Sequence, residues 1–172
     1  MDTELYQLAE QVAAKMIETG HWLGTAESCT GGWVAKCLTD VAGSSRWFER
    51  GYVVYNGQAK RQMLGVSSAI IEQHGEVSEA VVRALAEGVL AKSTASISLS
   101  ISGIAGPGGG TDSKPVGTVW FAWSIADKHA GVVRGVRTST DQQLFSGDRE
   151  AVRRQAVQHA LAGVLSLSGV KS

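Results

Sequence analysis

A chain of 172 residues, 44% of them hydrophobic, is long enough to bury one full core, so a single domain spanning residues 1–172 is expected. Lys plus Arg equals Asp plus Glu at 16 each, which leaves no global field to recruit nucleic acid or an anionic membrane; any anion site must be local. No apolar run reaches the roughly 20 residues of a membrane helix, and the acidic start Met1-Asp2-Thr3-Glu4 lacks the basic region of a signal peptide, so a soluble cytoplasmic protein is expected.

Leu5, Leu8, Val12 and Met16 recur at helical spacing between the caps Asp2 and Thr3 and the stop Gly20. Trp22 to Ala26 then reads as a strand, Gly31 to Leu38 as a helix and Tyr52 to Tyr55 as a second strand. A short helix from Ala59 to Leu64 stops at Gly65, and Ser78 caps a longer one through Val82, Leu85 and Val89. Ile97, Leu99 and Ile101 alternate with serines at 96, 98, 100 and 102, a period-two strand with one apolar face. Gly117 to Ile125 and Val132 to Val136 read as a hairpin across a turn at Asp127 to Gly131, and a helix from about Asp148 to Leu165 closes the chain. Helices alternating with strands, followed by one strand pair, predict a three-layer α/β/α sandwich on a mixed, largely parallel sheet.

Four segments carry candidate chemistry. Thr25-Ala26-Glu27-Ser28-Cys29-Thr30-Gly31-Gly32 sits between a strand and a helix, where Ser28 would stand at the sheet edge and the N–H groups of Cys29, Thr30 and Gly31 could form an oxyanion hole. The same hydroxyls would equally serve as a helix cap, and Cys29 suits a small packing residue. Tyr55 and Lys60 follow at the end of the second strand; with no histidine near any motif, a buried lysine is the candidate substitute base, with the Tyr55 hydroxyl available to relay a proton, although taken alone Lys60 fits a solvated helix residue and Tyr55 a strand-end aromatic. The run from Ser102 through Gly103, Gly106, Gly108 and Gly109 fails both the P-loop and the dinucleotide spacing, yet its place at a strand end suits close approach of backbone to a ligand, or else a surface loop. Phe145-Ser146-Gly147-Asp148-Arg149 opens the last helix, an arrangement suited to phosphate provided Asp148 serves as the cap; Arg153 and Arg154 read as surface or interface residues.

Metal chemistry is not expected. Cys29 and Cys37 have neither redox nor zinc spacing, and His21, His74, His129 and His159 lie far apart.

Taken together and in this order, TAESCTGG, SGIAGPGGGTDSKPVGTVW and FSGDREAVRRQA resemble the CinA C-terminal domain family over nearly the whole chain. The free-standing members of that family resemble nicotinamide mononucleotide deamidases, which release ammonia from the carboxamide without a metal or other cofactor. The resemblance therefore implies an α/β/α fold, a homodimer and a pyridine mononucleotide substrate of NAD salvage. It also implies Ser28 as nucleophile, Tyr55 and Lys60 as its activating partners, and Arg149 at the nucleotide phosphate. One departure stands out: the family usually carries Tyr, a small hydroxyl residue and then Asn, whereas here Asn56 follows Tyr55 and Gly57 holds the Asn position. That departure keeps open a second reading, a pyridine-nucleotide-binding paralogue without a working base. A purely structural module would not need these segments to coincide.

Overall fold

The computed structural model describes residues 2–129 and 132–167. Helix α1 spans Thr3–Thr19, with the Asp2 carboxylate accepting from the Leu5 N–H and Gly20 closing it in the left-handed conformation. Strand β1 (Leu23–Glu27) and helix α2 (Trp33–Asp40) follow, then a 3₁₀ turn at Ser44–Arg46 and β2 (Phe48–Val53). Three helices come next: α3 (Gly57–Leu64), α4 (Ser68–His74) and α5 (Glu79–Ala91). Strands β3 (Ile97–Gly103), β4 (Thr118–His129) and β5 (Val132–Leu144) lead into α6 (Arg149–Ser166).

The five strands form one sheet in the order β2-β1-β3-β4-β5, parallel across β2, β1 and β3 and antiparallel from β3 onward. Two crossovers carry helices to opposite faces, as parallel pairs require. On one face α1, α2 and α6 pack over Leu23, Ile97, Leu99, Ile101, Phe121 and Trp123. On the other, α5 lies over Ala26 and Ala122. The expected α/β/α sandwich with a mixed sheet is therefore present.

Several elements differ from the sequence expectation. The β3 serines do not face solvent: Ser98 and Ser100 are fully buried and donate to the α5 carbonyls of Ala86 (2.7 Å) and Val82 (2.6 Å), so both faces of this central strand are covered. Strand β2 begins at Phe48 and ends at Val53, leaving Tyr55 beyond its end, and β5 runs on to Leu144 because an edge strand facing water tolerates the polar residues that hid it. Asp127 belongs to β4, and the remainder of the expected turn includes residues 130–131, which lie outside the described residues. Helix α4 has little apolar periodicity and was not anticipated.

Two clasps hold the termini of this frame together. Arg154 on α6 bonds Asp2 and Glu4 on α1, so it is an intramolecular clamp, and Lys15 Nζ donates to the carbonyls of Val164, Leu165 and Leu167 at the end of α6.

Within α6, Gly163 faces the Trp123 ring so closely that a Cβ would stand 2.1 Å from Cζ2, and the ring is pinned by its Nε1–H donating to the Ala160 carbonyl at 3.0 Å. Alanine gains at most about 1 kcal/mol in helix propensity, whereas overpacking a pinned ring costs about 1–3 kcal/mol or more. Gly163→Ala is expected to destabilise the fold by about 2 kcal/mol, read as a lower urea midpoint; an unchanged or higher midpoint would contradict this packing.

Candidate active site

The site is built at the carboxyl edge of the three parallel strands. Strand β1 ends in Glu27, whose side chain is 1% exposed and turns back toward α2. Its carboxylate accepts from Thr30 Oγ1 (2.7 Å) and from the N–H groups of Gly32 (3.1 Å), Val34 (3.0 Å) and Ala35 (2.9 Å). The first-turn donors of α2 are therefore spent on Glu27. Gly31 and Gly32, at φ +61° and +93°, make the tight turn between them, and the Gly31 N–H donates to the Ser28 carbonyl at 3.0 Å. Gly31 thus drops out of the expected oxyanion set in this arrangement; the N–H groups of Cys29 and Thr30 have no main-chain acceptor among the described residues.

Ser28 is buried, its N–H donating to the Ile101 carbonyl of β3 and its Oγ–H to the Tyr55 carbonyl at 3.2 Å. Lys60, on the first turn of α3, is wholly inaccessible, and its Nζ lies 3.3 Å from Ser28 Oγ. Two further acceptors surround that nitrogen, the Tyr55 carbonyl at 3.4 Å and Glu76 Oε2 at 2.9 Å. Glu76 was not anticipated. It lies in the loop before α5, and only tertiary packing brings it to Lys60.

Tyr55 stands differently from the expectation. Its carbonyl, not its hydroxyl, meets Ser28; the ring is 54% exposed and the hydroxyl accepts from Arg149 Nη2 at 2.7 Å. Arg149 also donates to the Gly106 carbonyl at 2.7 Å, so one guanidinium joins the glycine loop to Tyr55. Asp148 accepts from the Ala151 N–H and caps α6, leaving attraction for an anion to the Arg149 side chain. Ser28, Tyr55, Lys60, Gly106 and Arg149 therefore share one chain of contacts. Gly103 lies apart as a packing residue, since a Cβ there would meet Val119 Cγ2 at 2.7 Å, while nothing stands within 4 Å of a Cβ at Gly108 and only the Ile104 side chain approaches one at Gly109.

Arg153 is not a surface residue in function. It donates to the carbonyls of Cys29 (3.0 Å) and Thr30 (3.1 Å) while lying 5.5 Å over the Trp33 ring, and so holds the nucleophile turn from the α6 side. Beside it opens a cavity of about 500 Å³ lined by Thr30, Gly31, Gly32, Trp33, Lys36, Arg153 and Asp2. Burial pushes the Cys29 thiol up to about 12 and the Cys37 thiol up to about 11, which suits packing residues. His21 bonds Ser96 and His159 bonds Asp141, both away from Ser28. Among the described residues no group of three or more His, Cys, Asp and Glu is placed to hold a metal ion.

The family model of the CinA C-terminal domain matches residues 5–168. The chain belongs to the CinA C-terminal domain family. The nicotinamide-nucleotide amidohydrolase PncC of Escherichia coli K12 is 54% identical over 160 residues, covering 93% of this chain and 92% of that protein. The protein of the same name from Enterobacter agglomerans is 48% identical over 164 residues and 95% of each chain. A crystal structure of the competence damage-inducible protein A from Klebsiella pneumoniae superposes with a TM-score of 0.86 at 39% identity, covering 96% of this chain and 98% of that one. A competence/damage inducible protein from Agrobacterium tumefaciens gives 0.86 at 35% identity, covering 95% and 94%.

Two measurements probe this geometry. In Glu27→Gln the amide nitrogen would face backbone donors, and the loss of charge-assisted bonds is expected to cost about 1.5–3 kcal/mol, seen as a lower denaturant midpoint. At pH 8 a thiol at about 12 is ionised in about one molecule in ten thousand, so Cys29 should resist iodoacetamide in the native chain and react only after unfolding. Rapid native alkylation would show that the turn is open.

Proposed function

We propose that this chain hydrolyses the carboxamide of nicotinamide mononucleotide to nicotinate mononucleotide and ammonia, with Ser28 as the nucleophile and without a metal. The observation that carries the chemistry is the buried Lys60 Nζ, 3.3 Å from Ser28 Oγ. The substrate is carried over from the relatives named nicotinamide-nucleotide amidohydrolase.

In this reading Ser28 Oγ bonds to the carboxamide carbon as its proton passes to the neutral Lys60 amine. The oxyanion that forms is received by the N–H groups of Cys29 and Thr30. The Lys60 ammonium then gives its proton to the departing nitrogen, the C–N bond breaks and ammonia leaves. Water attacks the acyl ester next and gives a proton to Lys60; the Lys60 ammonium then passes that proton to Ser28 Oγ as the ester C–O bond breaks and nicotinate mononucleotide departs. Arg149, with two of its five donors engaged by Gly106 and Tyr55, presents the remainder to the substrate phosphate. A cytoplasmic homodimer belongs to the same proposal, and light scattering tests the dimer.

Ammonia release from nicotinamide mononucleotide by the purified protein is the decisive assay. Ser28→Ala is expected to abolish turnover while substrate still binds, and Lys60→Met to lower kcat with little change in Kd; full turnover in Ser28→Ala would sink the covalent route. Chelators should leave the rate intact, and a loss restored by a divalent ion would overturn metal independence. Arg149→Ala should weaken mononucleotide binding roughly ten- to a hundredfold, the effect of a charge-assisted contact of about 1.5–3 kcal/mol, and barely affect nicotinamide riboside. Tight mononucleotide binding with no ammonia from any carboxamide would favour the binding-protein reading instead.

A further inference from the structure

We propose that Glu76 is a positioning residue that acts through Lys60, serving as the proton port by which this buried amine exchanges protons with water. The inference rests on the reading of Ser28 and Lys60 above as nucleophile and base.

A lysine becomes a base only by giving up a proton, and Lys60 is 0% exposed, so no bulk water meets its nitrogen. Three groups do: Ser28 Oγ at 3.3 Å, the Tyr55 carbonyl at 3.4 Å and Glu76 Oε2 at 2.9 Å. The carbonyl holds no proton, and the serine is itself 6% exposed and must deliver one. Glu76 alone of the three is an ordinary proton acceptor, and its side chain is 43% exposed, so it touches both Lys60 and solvent. In the priming step one Nζ–H bond breaks and an Oε2–H bond forms, leaving a neutral amine and a neutral carboxylic acid; Glu76 then loses that proton to water. The amine is ready to receive the Ser28 proton.

The surroundings hold Glu76 to this place. Ser102 Oγ donates to its carbonyl at 2.9 Å, Lys114 Nζ reaches across from the glycine loop to the His74 carbonyl at 2.8 Å, and Ser78 Oγ bonds the Gly75 carbonyl at 2.9 Å. Room for the carboxylate comes from Gly57, where an added Cβ would stand 3.1 Å from Glu76 Oε1 and 3.5 Å from Cδ. The unusual glycine at the start of α3 and the carboxylate beside Lys60 thus form one arrangement: a side chain at position 57 would crowd the port.

The experiment measures the rate at which a fluorophosphonate labels Ser28, read by mass spectrometry, because this reaction needs the base but no pyridine nucleotide. Glu76→Gln, which keeps the shape but cannot take the proton, is expected to slow labelling about tenfold or more. Glu76→Ala should be slowed similarly and be restored by added formate, which can enter the half-exposed gap; Lys60→Met should be slow and unmoved by formate. Gly57→Ala should be slowed in part with an unchanged melting temperature. Wild-type rates in Glu76→Gln, no formate rescue of Glu76→Ala, or no labelling of Ser28 in the wild type would each overturn the proposal. Ammonia release separates the two readings. Labelling that responds to Glu76 without ammonia from the mononucleotide removes the substrate alone, and ammonia release with labelling indifferent to Glu76 removes the port alone.

Discussion

The buried carboxylate of Glu27 is the constraint on which the site depends. A charge taken out of water must be compensated, and here four donors from the following eight residues compensate it. To reach that carboxylate the chain must reverse within Ser28 to Gly32, which fixes Ser28 at the sheet edge and commits the first-turn donors of α2. The N–H groups of Cys29 and Thr30 remain outside this arrangement because they lie on the approach to the reversal. One interaction therefore decides which donors cap a helix and which are left beside the nucleophile.

The helix layers divide the remaining work. Helix α3 delivers Lys60 from one side of the sheet, while α6 on the other contributes Arg149 to Tyr55 and the glycine loop and Arg153 to the carbonyls of the nucleophile turn. Those two arginines are one turn apart on the same helix, so the geometry at the mouth and the geometry beneath the turn are set by a single rigid element. Its clasp on α1 through Arg154, Asp2 and Glu4 keeps that element in place.

Much of this was legible because it is local. The strand, turn and helix around Ser28, the placement of Lys60 near the start of a short helix, and the cap at Asp148 all follow from residues close in sequence. The resemblance supplied the substrate class and the family. What was missed depends on pairing over distance: Glu76 reaches Lys60 through the fold of the intervening helix α4, and the Tyr55 hydroxyl is claimed by an arginine 94 positions later. Glu27 lay inside a quoted motif without a role, although an acidic residue at a strand end just before a glycine pair was the available signal. The length of β5 and the burial of the β3 serines were hidden for the same reason, since polarity in a strand does not reveal whether water or a helix lies opposite.

Those serines have a consequence for how α5 is seated. Ser98, Ser100 and Ser102 hold, in turn, the carbonyls of Ala86, Val82 and Glu76, so the strand climbs in steps of two while its first helical step is four residues in the reverse direction. Two strand residues advance about 6.6 Å and four helical residues about 6 Å, a near match that works like the graduations of a vernier. The helix cannot slide by a fraction of a turn without losing its graduations, and a slip of one whole turn would carry it about 5.4 Å along the strand. That is more than the whole separation between Glu76 and Lys60, so the seam between β3 and α5 sets the alignment of Glu76, in the loop that leads into α5, with Lys60 on α3 of the same face.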